Sequence, residues 1–253
     1  NNALAWQERG VALASAGRIA EAADCFREAV ANDAGLAAAH TNLGLALSTL
    51  GAFEEAIVAA RQAIALAPSF IEAHVNLGAV LLASGRTSAA IGAFQQALAL
   101  RPDWVPAMVG LADGLREEHR LGDAVQLYQQ ALAIQPTHAA ALINLGNTLL
   151  DLGEIEAALA SFAKAIGNDP HNAIARSNRL LALQYDPQAD EHRIREEALA
   201  YGAILPGAPT RPKVVGRSRL RIGFVSADFR AHPVGWFLRE VLAAIDRDRF
   251  EVL

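Results

Sequence analysis

Four asparagines, Asn42, Asn76, Asn144 and Asn178, fall on one 34-residue register. A carboxamide carries both a donor and an acceptor, so a row of them on one face can hydrogen-bond the main chain of an extended peptide whatever its sequence. Asn is a mediocre helix former, and core packing gives no reason to repeat it. Gly110 takes the place in the fourth unit and Glu8 in the first. A second reading stays open here: the same amides can tie each repeat to its neighbour.

A second cluster lies near the C-terminus. Ser226, Asp228, Arg230 and His232 share a short segment after a β-rich run, and His232 precedes Pro233. That places His232 near a helix start, where backbone N–H groups and the helix dipole favour phosphate or another anion. A neutral imidazole there can act as a general base or donate to a phosphate oxygen. The plainer alternative is a loop histidine that caps the helix. The segment has no Gly-x-Gly-x-x-Gly and no P-loop, so a dinucleotide or ATPase reading lacks its main support. Elsewhere, His40 and His74 share a helical slot suited to packing or groove lining. His138 and His171 read as turn or cap residues. No His, Cys or carboxylate pair has ligand spacing, and no metal is expected.

The elements that carry the asparagines are set by the repeat. Gly10, Gly44, Gly78 and Gly146 hold one register, and Ala22, Ala56, Ala90, Ala124 and Ala158 another. Pro68, Pro102, Pro136 and Pro170 close successive units by ending a helix they cannot continue. Phe26, Phe94, Tyr128 and Phe162 share a slot that Ala60 fills in the second unit. Leu43 with Leu47, and their counterparts in the next three units, give each first helix (helix A) an apolar stripe at i, i+4. Small residues on helix A and on the second helix (helix B) imply close packing within each hairpin. Gly51, Gly85, Gly122 and Gly153 are expected at the turns between them.

This pattern resembles the tetratricopeptide repeat, over five units at residues 3–172. The resemblance implies a right-handed superhelix with a concave face lined by helices A, stable only through stacking. Lys164 and Lys213 are the only lysines, so the groove is no lysine-based carboxylate clamp.

After Ala173 the pattern weakens: Arg179 replaces the stripe Leu, and Tyr185-Asp186-Pro187 breaks the helix. A further helix is expected at 190–203, then a proline-rich linker. Leu220 to Ser226 reads as a strand, Gly235 to Ile245 as a helix, and Phe250 onward as a second strand. This β-α-β order implies a parallel sheet with a crossover. The expected fold is thus mainly α: a tetratricopeptide superhelix at 1–178, transition helices and linker at 179–216, and the start of a Rossmann-like (GT-B) α/β lobe at 217–253.

Composition bounds the function. The chain has 253 residues, 53% hydrophobic and 19% charged, with a net charge of −5. It can fold around a core, and its acidity argues weakly against nucleic acid or an anionic membrane as partner. No apolar run is long enough to span a bilayer. Cys25, the only cysteine, falls on an apolar stripe and reads as a buried structural thiol. A reducing, cytoplasmic setting is the mild expectation. With no initiator Met and an end in a strand-like run, the chain reads as a piece of a longer polypeptide.

The run Arg221-Ile222-Gly223-Phe224-Val225-Ser226, continued by Asp228, Arg230, His232, Pro233 and Gly235, resembles the opening of the catalytic region of protein O-GlcNAc transferases. Bacterial homologues and the related SPINDLY proteins are the nearest likeness. The resemblance implies a two-lobed, inverting, metal-independent glycosyltransferase that moves N-acetylglucosamine from UDP-GlcNAc to Ser or Thr of proteins. No cofactor beyond this donor is implied. Protein or peptide acceptors would lie in the groove, with the asparagine row matching the family's ladder except at Gly110. His232 would lie at the active site, with Asp228 and Pro233 shaping its loop. The donor-binding lobe is expected beyond Leu253. Two alternatives stand beside this one: a non-enzymatic scaffold, and a transferase using another sugar nucleotide such as GDP-fucose.

Overall fold

The structure, a computed structural model, describes residues 2–205, 220–222 and 250–252. Residues 2–205 form twelve helices. The odd-numbered ones are α1 (Asn2–Ser15), α3 (Ala37–Thr49), α5 (Ile71–Ala83), α7 (Val105–Glu117), α9 (Ala139–Asp151) and α11 (Ala173–Leu183). The even-numbered ones are α2 (Ile19–Asn32), α4 (Phe53–Leu66), α6 (Thr87–Leu100), α8 (Leu121–Ile134), α10 (Ile155–Asn168) and α12 (Glu191–Ile204). Each odd-numbered helix folds back on the even-numbered helix that follows, making six hairpins. Successive odd-numbered helices also touch, whereas no comparable pairing joins successive even-numbered ones. The odd-numbered helices are therefore the inner layer of a superhelix.

The small residues do what their spacing implied. A Cβ added at Gly10, Gly78 or Gly146 would lie 2.6, 2.7 or 2.5 Å from the ring of Phe26, Phe94 or Phe162 respectively. Each ring lies directly against bare backbone, so the glycines set the distance between the two helices of the hairpin. At Gly44, opposite Ala60, the nearest atom is instead the carbonyl oxygen of Ala56 at 3.2 Å. The Ala columns on the even-numbered helices are buried in all five units that carry them, and Cys25 is buried with them.

The hairpin turns correct one expectation. Gly17, Gly51, Gly85 and Gly153 take φ of +75 to +79°, the left-handed conformation that closes an inner helix. The register puts the fourth such turn at His119, with φ 59°, and not at Gly122, which lies inside α8. The backbone bonds are those of a Schellman turn: Arg120 N–H to Leu115 O at 2.8 Å and His119 N–H to Arg116 O at 3.0 Å. Histidine carries a Cβ into a conformation that glycine enters freely. His119→Gly is expected to stabilise the array by about 0.5–1 kcal/mol, read as a raised Tm. An unchanged or lowered Tm would show that the turn is unstrained.

The sixth hairpin differs from expectation too. Residue 178, taken as the end of the repeats, lies inside α11, and α12 folds back on α11 as in the other units. The join is electrostatic. Glu197 of α12 is buried and accepts from Arg176 at 3.1 Å and from Arg179 at 2.6 Å. Arg179 is the residue that replaced the stripe Leu. Its aliphatic stem and charged head take over the joining role of the apolar contact.

The chain divides into two units, Asn1–Leu205 and Pro206–Leu253. In the second, β1 (Leu220–Ile222) pairs in parallel with β2 (Phe250–Val252), Arg221 opposite Glu251. These are the only strands among the described residues, and a pair of three-residue strands does not by itself show the expected Rossmann-like lobe. The helix expected at 235–245 lies outside the described residues.

Candidate functional site: the inner groove

Asn42, Asn76, Asn144 and Asn178 all lie on odd-numbered helices, half-buried. Three of their amides donate to the unit before. Asn144 Nδ2 reaches Asp113 Oδ1 at 2.7 Å, and Asn178 Nδ2 reaches Asn147 Oδ1 at 2.8 Å. Asn76 Nδ2 reaches the Thr41 carbonyl at a longer 3.4 Å. Inter-repeat bonding is thus a property of the row. It leaves each amide with its oxygen and a second N–H. Among the described residues nothing donates to Oδ1 of Asn76, Asn144 or Asn178. An oriented amide with an open acceptor on a groove wall suits the N–H of a second polypeptide.

Asp113 was missed by sequence reasoning. It occupies the register of Asn147, one turn beyond Gly110, and accepts from both Asn144 and the Tyr128 hydroxyl. The signal was present: Tyr128 is the one aromatic of its slot that carries a hydroxyl, and a buried hydroxyl needs a partner. Burial pushes the Asp113 carboxyl above the usual carboxylate range, against the bonds from Tyr128 and Asn144, which hold it down. Burial and the nearby Asp113 charge push the Tyr128 phenol well above its ordinary value. Tyr128 therefore stays a donor, and the network ties α7, α8 and α9 together.

The histidines serve the connections. His40 Nε2 lies 3.1 Å from the Ala34 carbonyl and His74 Nε2 lies 2.8 Å from the Pro68 carbonyl, each reaching back six residues. A carbonyl only accepts, so both rings carry the proton on Nε2. Arg176 fills the same slot in the sixth unit and donates to the Pro170 carbonyl at 2.8 Å. His138 caps α9, its Nδ1 accepting from Ala141 N–H at 3.2 Å. Its equivalent is Asn172, which caps α11, and not the exposed His171. Among the described residues no three His, Cys, Asp or Glu side chains form a metal-sized group, and no helix is long and apolar enough to cross a membrane.

One turn beyond the asparagine register, on the same helix face, stand Val11, Leu45, Ala79, Asp113, Asn147 and Leu181. Val11, Leu45 and Leu181 are about half exposed, at 46, 51 and 51%. The groove wall therefore alternates amides with uncovered apolar side chains. No lysine stands on any odd-numbered helix, which rules out a lysine clamp. His232, Asp228 and Pro233 lie outside the described residues.

A family model described as tetratricopeptide repeat matches residues 47–113 and 115–183, more than half of the chain, and a second of the same description matches 1–37. The chain belongs to the tetratricopeptide repeat family. Solved structures agree on the fold. A thermophilic tetratricopeptide repeat protein of Thermus thermophilus is 21% identical, with TM-score 0.66 over 72% of this chain and 99% of that one. The Pseudomonas aeruginosa protein PilF is 18% identical, with TM-score 0.65 over 80% of this chain and 89% of that one. YrrB, described as a tetratricopeptide repeat protein with an unusual peptide-binding site, is 23% identical, with TM-score 0.51 over 67% of this chain and 88% of that one. No curated protein matches the chain.

Proposed function

We propose that the tetratricopeptide array is a binding arm whose inner groove holds extended protein segments, and that it presents them for glycosyl transfer. The observation that carries the first part is the asparagine row. Three of the four amides, at Asn76, Asn144 and Asn178, are oriented by a bond to the preceding unit, with the oxygen left open. Such a row recognises a main chain more than a side-chain sequence. YrrB, a protein of the same fold described as binding a peptide, supports this part.

The second part rests on the segment from Arg221 to Gly235, which resembles the opening of protein O-GlcNAc transferase catalytic regions. The parallel pairing of Leu220–Ile222 with Phe250–Val252 is in keeping with the start of an α/β lobe. On this reading UDP-GlcNAc is the donor, Ser or Thr hydroxyls of cytoplasmic proteins are the acceptors, and His232 is the site histidine. No metal takes part. A second reading, a scaffold without chemistry, is in keeping with the tetratricopeptide fold that the chain shares with its structural relatives.

The test is N42A/N76A/N144A, with retained helicity confirmed by circular dichroism. Three hydrogen bonds at about 1 kcal/mol each predict roughly 100-fold weaker binding of an extended peptide. UDP-GlcNAc turnover is measured on the same samples, with intact mass recorded. Transfer to peptide is expected to fall while donor hydrolysis stays nearly intact. Peptide binding without turnover of UDP-GlcNAc or GDP-fucose, in a sample whose intact mass includes the donor-binding lobe, supports the scaffold. Equal loss of transfer and hydrolysis sinks the ladder.

A further inference from the structure

At the fourth unit the amide row is interrupted, and the interruption has a shape. Gly110 stands where Asn76 and Asn144 stand in the flanking units. A Cβ at Gly110 would lie 2.3 Å from Cε1 of Phe94, so the ring fills the space in which an asparagine side chain would begin. Phe94 is itself buried and has little freedom to withdraw. In place of an amide the groove has a cleft of about 490 Å³ between α5 and α7. Val75, Ala79, Leu82 and Val109 wall it, with Phe94 at its base. Asp113 and Glu117 also line it. Glu117 is exposed and accepts from the Thr87 hydroxyl at 2.9 Å. Arg116 offsets part of the charge of Asp113, which leaves Glu117 as the freer carboxylate.

We propose that this cleft is a side-chain subsite for a large apolar residue, next to Lys or Arg, in an extended peptide lying along the groove. The proposal rests on the groove reading above and adds a sequence preference to it. The amides of Asn76 and Asn144 hold the main chain on either side, and the gap at Gly110 lets one side chain descend. Apolar walls favour a side chain such as Leu or Phe. The carboxylates select a cationic neighbour and disfavour an acidic one. Elsewhere along the row the groove reads backbone, and here it reads sequence.

The test uses the full chain and three labelled nonapeptides of Gly and Ser that differ only at two central positions, Leu-Lys, Ala-Lys or Leu-Glu. Fluorescence polarisation is expected to show Leu-Lys bound about tenfold tighter than either other peptide. Ala79→Phe, at an exposed wall position, fills the cleft and is expected to erase the preference of Leu-Lys over Ala-Lys. Glu117→Gln is expected to shrink the preference for Lys over Glu without touching the preference for Leu. Equal binding of all three peptides overturns the subsite and leaves the groove reading standing. Binding of none overturns both. Persistence of the Leu preference in Ala79→Phe removes the cleft as its cause. Competition by N-acetyl-leucinamide as effective as by the peptide makes this a small-molecule site and overturns the proposal.

Discussion

Phe94→Ala is expected to lower the stability of the array by about 3–5 kcal/mol. The ring is 2% exposed and lies against two backbones. A Cβ at Gly78 in its own unit would be 2.7 Å from it, and one at Gly110 in the next unit 2.3 Å. Those glycines cannot move in to fill the vacated space, because each belongs to a helix held by its own hairpin partner. The cavity therefore persists, and the loss includes both the transfer of the ring and the hole it leaves. Because Phe94 bridges the third and fourth units, the loss falls on a stacking interface. A linear array transmits stability only between neighbours, so such a break lets the two halves unfold in separate steps. Urea unfolding followed by far-ultraviolet circular dichroism reads both effects. A single transition within about 1 kcal/mol of wild type would show that Gly78 and Gly110 close over the gap. Phe26→Ala, in the first hairpin, is expected to soften only the end of the array.

Glu197→Ala is expected to cost about 3 kcal/mol and to release the last hairpin. The carboxylate is buried between Arg176 and Arg179, whose side chains are only 15 and 26% exposed. Removing it leaves two guanidinium groups held out of water with no counter-charge, and the array relieves this by letting α12 lift away. The effect is local, because α12 is the last helix of the array among the described residues. Amide hydrogen exchange should show lost protection at residues 191–204 with little change before residue 168. The triple variant R176M/R179L/E197M removes all three charges and puts back the Leu that earlier units carry at the slot of Arg179. It is expected to recover most of the loss, since well-packed apolar groups replace buried ion pairs at little cost. Failure of the triple variant, with Glu197→Ala behaving as stated, would mean that the geometry of the charge cluster positions α12. Protection unchanged in Glu197→Ala would mean that apolar contact alone holds the last hairpin.

Much of the fold could be read residue by residue. The glycine column met aromatic rings, the Ala columns were buried, and the row of Asn fell on the inner helices. Two readings trusted residue type over register. Gly122 was taken for a turn because it is a glycine, whereas the 34-residue step leads to His119, which takes the left-handed conformation without being one. His138 and His171 were read alike as turn or cap residues, whereas the step leads from His138 to Asn172: these two cap helices, and His171 stands in the exposed turn before the second cap. The end of the repeats was placed at residue 178 because Arg179 replaces the stripe Leu and Tyr185-Asp186-Pro187 breaks the helix. The sixth hairpin continues because Glu197, eighteen positions on, supplies the opposite charge.

What the sequence by itself determined is the array: the period, the two faces of each helix and the slots that recur. These follow from local rules, since residues three and four apart share a helical face and small residues mark close backbones. Only the tertiary structure decided what the recurring polar residues do. The bonds from Asn76, Asn144 and Asn178 run to residues 31 to 35 positions earlier, across a unit boundary. Whether an amide meets a carboxylate, a second amide or a carbonyl there depends on how one hairpin is set against the last. The cleft at Gly110 depends on the same setting, because the ring that forms its base belongs to the unit before.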